Sequence, residues 1–237
     1  MKSADKNGQF RGARKGDKRK SGRKKRGYRA SERHGVRAEL TGRDPIHVVV
    51  RVDPDVQPLR RKGLWGAIRR ATYVVARLEQ DMRIIELSVQ DTHIHLLVEA
   101  TNKIALAKGM QSFGVSVARQ INTALEKAGY KIRRGAVIAD RYHARVLKTP
   151  REVRNCLAYV MNNWRKHGAD QGHSWNVDPY SSAPSFTGWK ELPGRRVKVP
   201  SKYRPLVTQE PRTWLLRVGW KKHGLISMLE VPKHDSE

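Results

Sequence analysis

Cysteine is almost absent. Cys156 is the only one in 237 residues, which excludes an internal disulfide framework and a thiolate cage for zinc and fits a reducing compartment. Any metal must therefore be held by His, carboxylate or amide groups. Acidic residues are scarce as well, 22 against 49 Lys and Arg, for a net charge of +27. A polyanionic partner is expected, because clustered cations gain free energy by displacing counterions condensed on phosphates. Long apolar runs are missing too: no stretch approaches the ~20 residues of a membrane-spanning helix. The first residues also lack the apolar segment of a secretion signal. The expectation is a soluble, cytoplasmic, nucleoid-associated protein with nucleic acid rather than membrane as partner.

What is present divides into three segments. Residues 1–43 are mostly Lys, Arg, Gly and Ser, with 16 basic and 4 acidic residues, a net +12. Such a segment cannot bury enough apolar surface to fold alone and is expected to be a disordered, nucleic-acid-gripping arm. Residues 44–168 carry strong periodicity. His47-Val-Val-Val-Arg-Val52 reads as a strand ended by Asp53-Pro54. Leu64, Ile68, Ala71, Val75 and Leu78 recur at helical spacing, with Arg60, Arg61, Arg69, Arg70 and Arg77 outside that stripe. Residues 83–89 and 92–99 form an antiparallel hairpin by their β-rich composition, and 104–125 a second helix. Residues 137–138 and 144–147 supply a fourth strand. Thr149-Pro150-Arg151-Glu152 opens a third helix with a capping box, ended at Gly168. The order β-α-β-β-α-β predicts an α+β, ferredoxin-like fold: a four-stranded antiparallel sheet with helices on one face. Residues 169–237 are expected to be a C-terminal extension, a long surface wrap or linker to Arg212 followed by a docked tail, a helix then a strand.

Two motifs carry chemistry. In Thr92-His93-Ile94-His95-Leu96-Leu97-Val98 the strand period of two puts both histidines on one face and Ile94, Leu96 and Val98 on the other. Two imidazoles projecting side by side from a rigid strand can share one metal ion, although His-x-His also arises by chance. On the third helix Val153, Cys156, Leu157, Val160 and Trp164 form the buried stripe. Tyr159 and Asn163, one turn apart, lie at its edge. A phenol there could reach a cleft over the sheet, and the Asn163 amide oxygen could join the same metal. Asn155, Asn162, Arg165 and Lys166 make up the remaining surface, suited to phosphate. The plainer alternative is a boundary tyrosine with a packed ring and a wet hydroxyl.

His93-Ile94-His95 followed about 60 residues later by Tyr159-Val-Met-Asn-Asn163 on a helix resembles the single-tyrosine HUH transposases, the IS200-like family, and is most similar to REP-associated tyrosine transposases. The resemblance runs from about Asp44 to Gly168 and includes Ala139-Asp-Arg-Tyr-His143. It implies a DNA-nicking and rejoining enzyme of transposition in which Tyr159 attacks a phosphate to form a 5′-phosphotyrosine. It further implies Mg²⁺ or Mn²⁺ held by His93, His95 and Asn163, and a single-stranded or hairpin DNA substrate. Arg60, Arg61, Arg69, Arg70, Arg133, Arg134, Arg165 and Lys166 are the candidates for DNA backbone contact. His47 and His143 are left outside the metal shell. Monomer and homodimer are both open. The alternatives are a domesticated, non-cleaving hairpin binder, a nuclease using water in place of Tyr159, and a ferredoxin-like RNA-binding module. The last is disfavoured because strand 92–99 has no aromatic residue for stacking bases.

Overall fold

The structure, a computed structural model, describes residues 39–56, 58–78, 81–130, 135–172 and 174–232. The expected disordered arm, up to residue 38, lies outside the described residues, as do Arg133 and Arg134.

Four strands build one antiparallel sheet: β1 (Ile46–Arg51), β2 (Met82–Val89), β3 (His93–Ala100) and β4 (His143–Val146). Their order is β2-β3-β1-β4. Helices α1 (Lys62–Leu78) and α2 (Lys103–Lys127) form the two crossovers, so the expected four-stranded antiparallel β-α-β-β-α-β arrangement is present. Alternation decides what each sheet face offers. Ile46, Val48 and Val50 of β1 and Ile94, Leu96 and Val98 of β3 are buried with Leu64, Ile68 and Val75 of α1 and Leu106, Phe113 and Val117 of α2 in one core. Gly109 lets α2 come down onto β2: a Cβ there would lie 2.5 Å from the Met82 sulfur.

The opposite face carries the other half of the alternation and is also covered. Helix α3 (Pro150–Lys166) lies over it, started by the capping box of Thr149 and Glu152 with Pro150 in the first turn. Its stripe, Val153, Leu157, Val160 and Trp164, is buried as the spacing requires. Leu97 and Ile85 from the sheet join Val153, Leu157 and Val160 in a second core, which the extension completes with Val177, Trp189, Leu216, Trp220 and Ile226. Within segment 169–212, Val177, Ala183, Phe186 and Trp189 are packed into this core, whereas 191–205 runs mostly exposed over the surface. The tail forms a four-residue helix α4 (Trp214–Arg217) and a 3-10 turn (Gly219–His223). In place of the expected final strand there is a single bridge between Ile226 and Trp189. Polar ties fix the wrap. Arg60 makes a bidentate pair with Asp178 at 2.9 Å. Buried Glu99 accepts from Arg83 and from the backbone N–H groups of Arg212 and Thr213. Arg154 pairs with Glu230, and the Asn162 amide donates to the Ser227 carbonyl at 2.9 Å.

Candidate active site

The histidines project from the α3 side of the sheet because their alternation partners are committed to the α1–α2 core. His95 sits mid-sheet, paired with Val49 of β1 and Ser88 of β2, and is 3% exposed. His93, half-buried, opens β3 opposite Arg51. The His93 Nε2 and His95 Nε2 atoms stand 2.8 Å apart. Each ring is tethered at its other nitrogen: His93 Nδ1 lies 2.8 Å from Thr92 Oγ1, and His95 Nδ1 lies 3.2 Å from His47 Nε2. His47, on β1, shares the face and stacks on His95 with ring centroids 5.3 Å apart.

Helix α3 brings Tyr159 to this cluster. Its ring meets His95 edge-on at 5.1 Å between centroids and His47 at 6.0 Å. Lys166, two turns further on, places its ammonium 5.0 Å from the Tyr159 ring centre. Asn163, one turn after Tyr159, is fully buried. Among the described residues neither its amide oxygen nor its amide nitrogen has a hydrogen-bond partner. An orphaned buried amide costs free energy unless something else satisfies it.

Burial and neighbouring charge keep His95 and His47 neutral. Burial, then the charges of His93 and His47, push the His95 pKa well below the ordinary histidine value; His167 and Lys166 add to the shift. Burial, followed by His143, Arg145 and His93, lowers His47 to about 4. Both rings therefore carry a lone pair at neutral pH, as metal ligation requires.

The structure thus gathers His93, His95, Tyr159 and Lys166, with Asn163 on the next turn. Among the described residues the arginines are held elsewhere. Arg60 is committed to Asp178 and the Val89 carbonyl, and Arg61 to the carbonyls of Pro58 and Val56. Arg69 and Arg70 ride on α1, across the sheet from the histidines, with Arg70 bonded to Gln120 of α2. Arg165 donates to the carbonyls of Met228 and Asn176 and pairs with Asp170 at 2.8 Å, so the extension absorbs its guanidinium. Asn162, expected at the surface, is fully buried. Sequence reasoning placed His47 outside the metal shell and did not pair it with His95. The available signal was that Ile46, Val48 and Val50 fill one face of β1, which assigns His47 to the other; its register against His95 was not readable.

The family model for IS200-like transposases matches residues 46–163. No curated protein matches the sequence. Among solved structures, a REP-associated tyrosine transposase bound to a REP hairpin aligns at 16% identity and a TM-score of 0.49, covering 75% of this chain and 100% of that one. A protein of Deinococcus radiodurans R1 assigned as a transposase gives 15% identity and a TM-score of 0.37, covering 50% of this chain and 87% of the other. A bacterial tRNA(His) guanylyltransferase-like protein in complex with GTP gives 17% and 0.40, covering 59% and 71%. Likenesses at this level carry no functional argument, so the assignment rests on the sequence match. That match opens at the first residue of β1 and ends at Asn163, spanning the sheet and the tyrosine helix and stopping before the extension. Through it this chain belongs to the IS200-like transposase family, DNA-cleaving enzymes of transposition.

Proposed function

We propose that this protein nicks and rejoins single-stranded or hairpin DNA through a covalent link to Tyr159, with Mg²⁺ or Mn²⁺ held by His93, His95 and Asn163. The observation that carries the reading is the 2.8 Å approach of the His93 and His95 Nε2 atoms, with the Tyr159 ring edge-on to His95. The donor set suits a divalent ion. Two Nε2 lone pairs converge, and the unpartnered Asn163 oxygen supplies the harder ligand that Mg²⁺ and Mn²⁺ favour. Among the described residues no three His, Cys, Asp or Glu side chains are arranged to hold a metal, so the proposed set includes an amide. Bound there, the ion would neutralise charge building on the phosphate oxygens.

The chain's own groups account for the rest. Tyr159 Oη attacks phosphorus, the bond from phosphorus to the 3′-oxygen breaks, and the proton lost by the phenol is balanced by the one gained by the 3′-oxygen. The products are a 5′-phosphotyrosine and a free 3′-hydroxyl. A later 3′-hydroxyl reverses the step, so rejoining needs no ATP because the ester bond is conserved. Lys166 puts positive charge where the scissile phosphate must sit against Tyr159. Tyr159 meets His95, and His95 meets His93, within one chain, so the reading requires no second copy. The test is to incubate labelled single-stranded hairpins with the protein and Mn²⁺ and run a denaturing gel. A protein–DNA band lost in Tyr159→Phe and with chelator supports the proposal. Cleavage that survives Tyr159→Phe would mean a water-using nuclease, and binding without cleavage a non-cleaving hairpin binder.

A further inference from the structure

We propose that His47 is a positioning residue for this centre: its Nε2 accepts the Nδ1–H of His95 and holds His95 in the tautomer whose Nε2 is bare toward His93. The inference rests on the metal reading above and deepens it. It begins with register. Val49 pairs with His95 and His47 with Leu97, so His47 is the diagonal neighbour of His95 on the same face, a separation long ring side chains can bridge. The rings stack at 24° between planes and 5.3 Å between centroids, and the two nitrogens lie 3.2 Å apart.

A neutral imidazole has one N–H and one lone pair. If His95 offers its Nε2 lone pair to a cation, its proton must sit on Nδ1, and the acceptor facing Nδ1 is His47 Nε2. His93 repeats the pattern, with Thr92 Oγ1 in place to take its Nδ1–H at 2.8 Å. Both Nε2 atoms are then bare and 2.8 Å apart, an arrangement that repels unless the two lone pairs share a cation. The opposite tautomers, with His47 donating, would put a proton on His95 Nε2 and close the site. His47 is not itself a ligand, because it meets His95 on the Nδ1 side, across the ring from that pole. Outer partners of this kind orient a metal-bound histidine and raise its basicity.

The experiment is calorimetric titration of the full chain with Mn²⁺ for wild type, His47→Gln, His47→Leu and His95→Ala, with circular dichroism melts confirming that each is folded. His47→Leu fills space without accepting a hydrogen bond and should weaken Mn²⁺ binding by about 10- to 100-fold. His47→Gln, whose carbonyl oxygen can accept from Nδ1, should keep most of the affinity. Leu equal to wild type, or Gln and Leu weakened equally, would overturn the inference. If wild type binds no Mn²⁺, or His95→Ala binds as well as wild type, the metal reading itself falls and takes this inference with it.

Discussion

Glu86 of β2 shows how local surroundings set the behaviour of one side chain. It is half-buried, receives a hydrogen bond from the Ser182 hydroxyl, and lines a cavity of about 730 Å³ together with Glu210. Burial raises its carboxyl to about 8; Ser182 opposes the shift and Glu210 adds to it. The folded value lies above the unfolded one, so the native state holds the extra proton, and stability falls as pH rises toward 8. The depressed histidines act in the opposite direction but only below about pH 6.5, where the unfolded rings begin to protonate. Between pH 6.5 and 8, thermal melts of wild type should therefore show a falling midpoint, and Glu86→Gln should flatten that slope; parallel slopes would remove Glu86 as the cause. At this scale the sequence was informative where alternation alone assigns a face, as for His93 and His95. It misled at Arg165 and Asn162, because a polar helix face was read as open surface. The extension covers that face, and both side chains donate to its backbone carbonyls, Asn162 to Ser227 and Arg165 to Met228.

Elements with a local signature were readable from the chain. Helices α1 and α2 follow their 3.6-residue apolar stripes, except that Leu78 at the end of α1 is exposed, and α3 follows its capping box, which the structure contains with both hydrogen bonds made. Thr149→Ala removes the acceptor for the Glu152 N–H and should cost roughly 1 kcal/mol, read as a lower chemical-denaturation midpoint with unchanged slope. No loss would mean that packing alone fixes the start of α3. The wrap had no such signature. Its order comes from turns, isolated bridges and aromatic contacts, such as Phe186 against Trp189 and Trp220, which repeat with neither strand nor helix period. A docked tail was foreseeable from its apolar content, whereas the expected helix-then-strand form was not what packing selected.

For the whole molecule, the sheet is a partition with two differently used sides. One side is an ordinary α/β core; the other holds the histidines beneath α3, and the extension roofs that helix. Removing residues 174–237 would strip Trp189, Trp220 and Ile226 from the second core and leave Arg154 and Arg165 without Glu230 and Met228. The truncated chain should melt at lower temperature and be cleaved faster by protease within α3. Full retention of stability would show that the extension is an ornament. The layering also explains why the site was only half legible: His93-Ile94-His95 and Tyr159 lie in separate segments, and only tertiary pairing puts the rings 5.1 Å apart. The central claim is that Tyr159 is the nucleophile. The most direct test is to trap the covalent product with Mn²⁺ and a single-stranded hairpin, digest it, and locate the attached nucleotide by mass spectrometry. A nucleotide esterified through its 5′-phosphate to the peptide containing Tyr159 is expected; attachment to any other residue would move the nucleophile elsewhere.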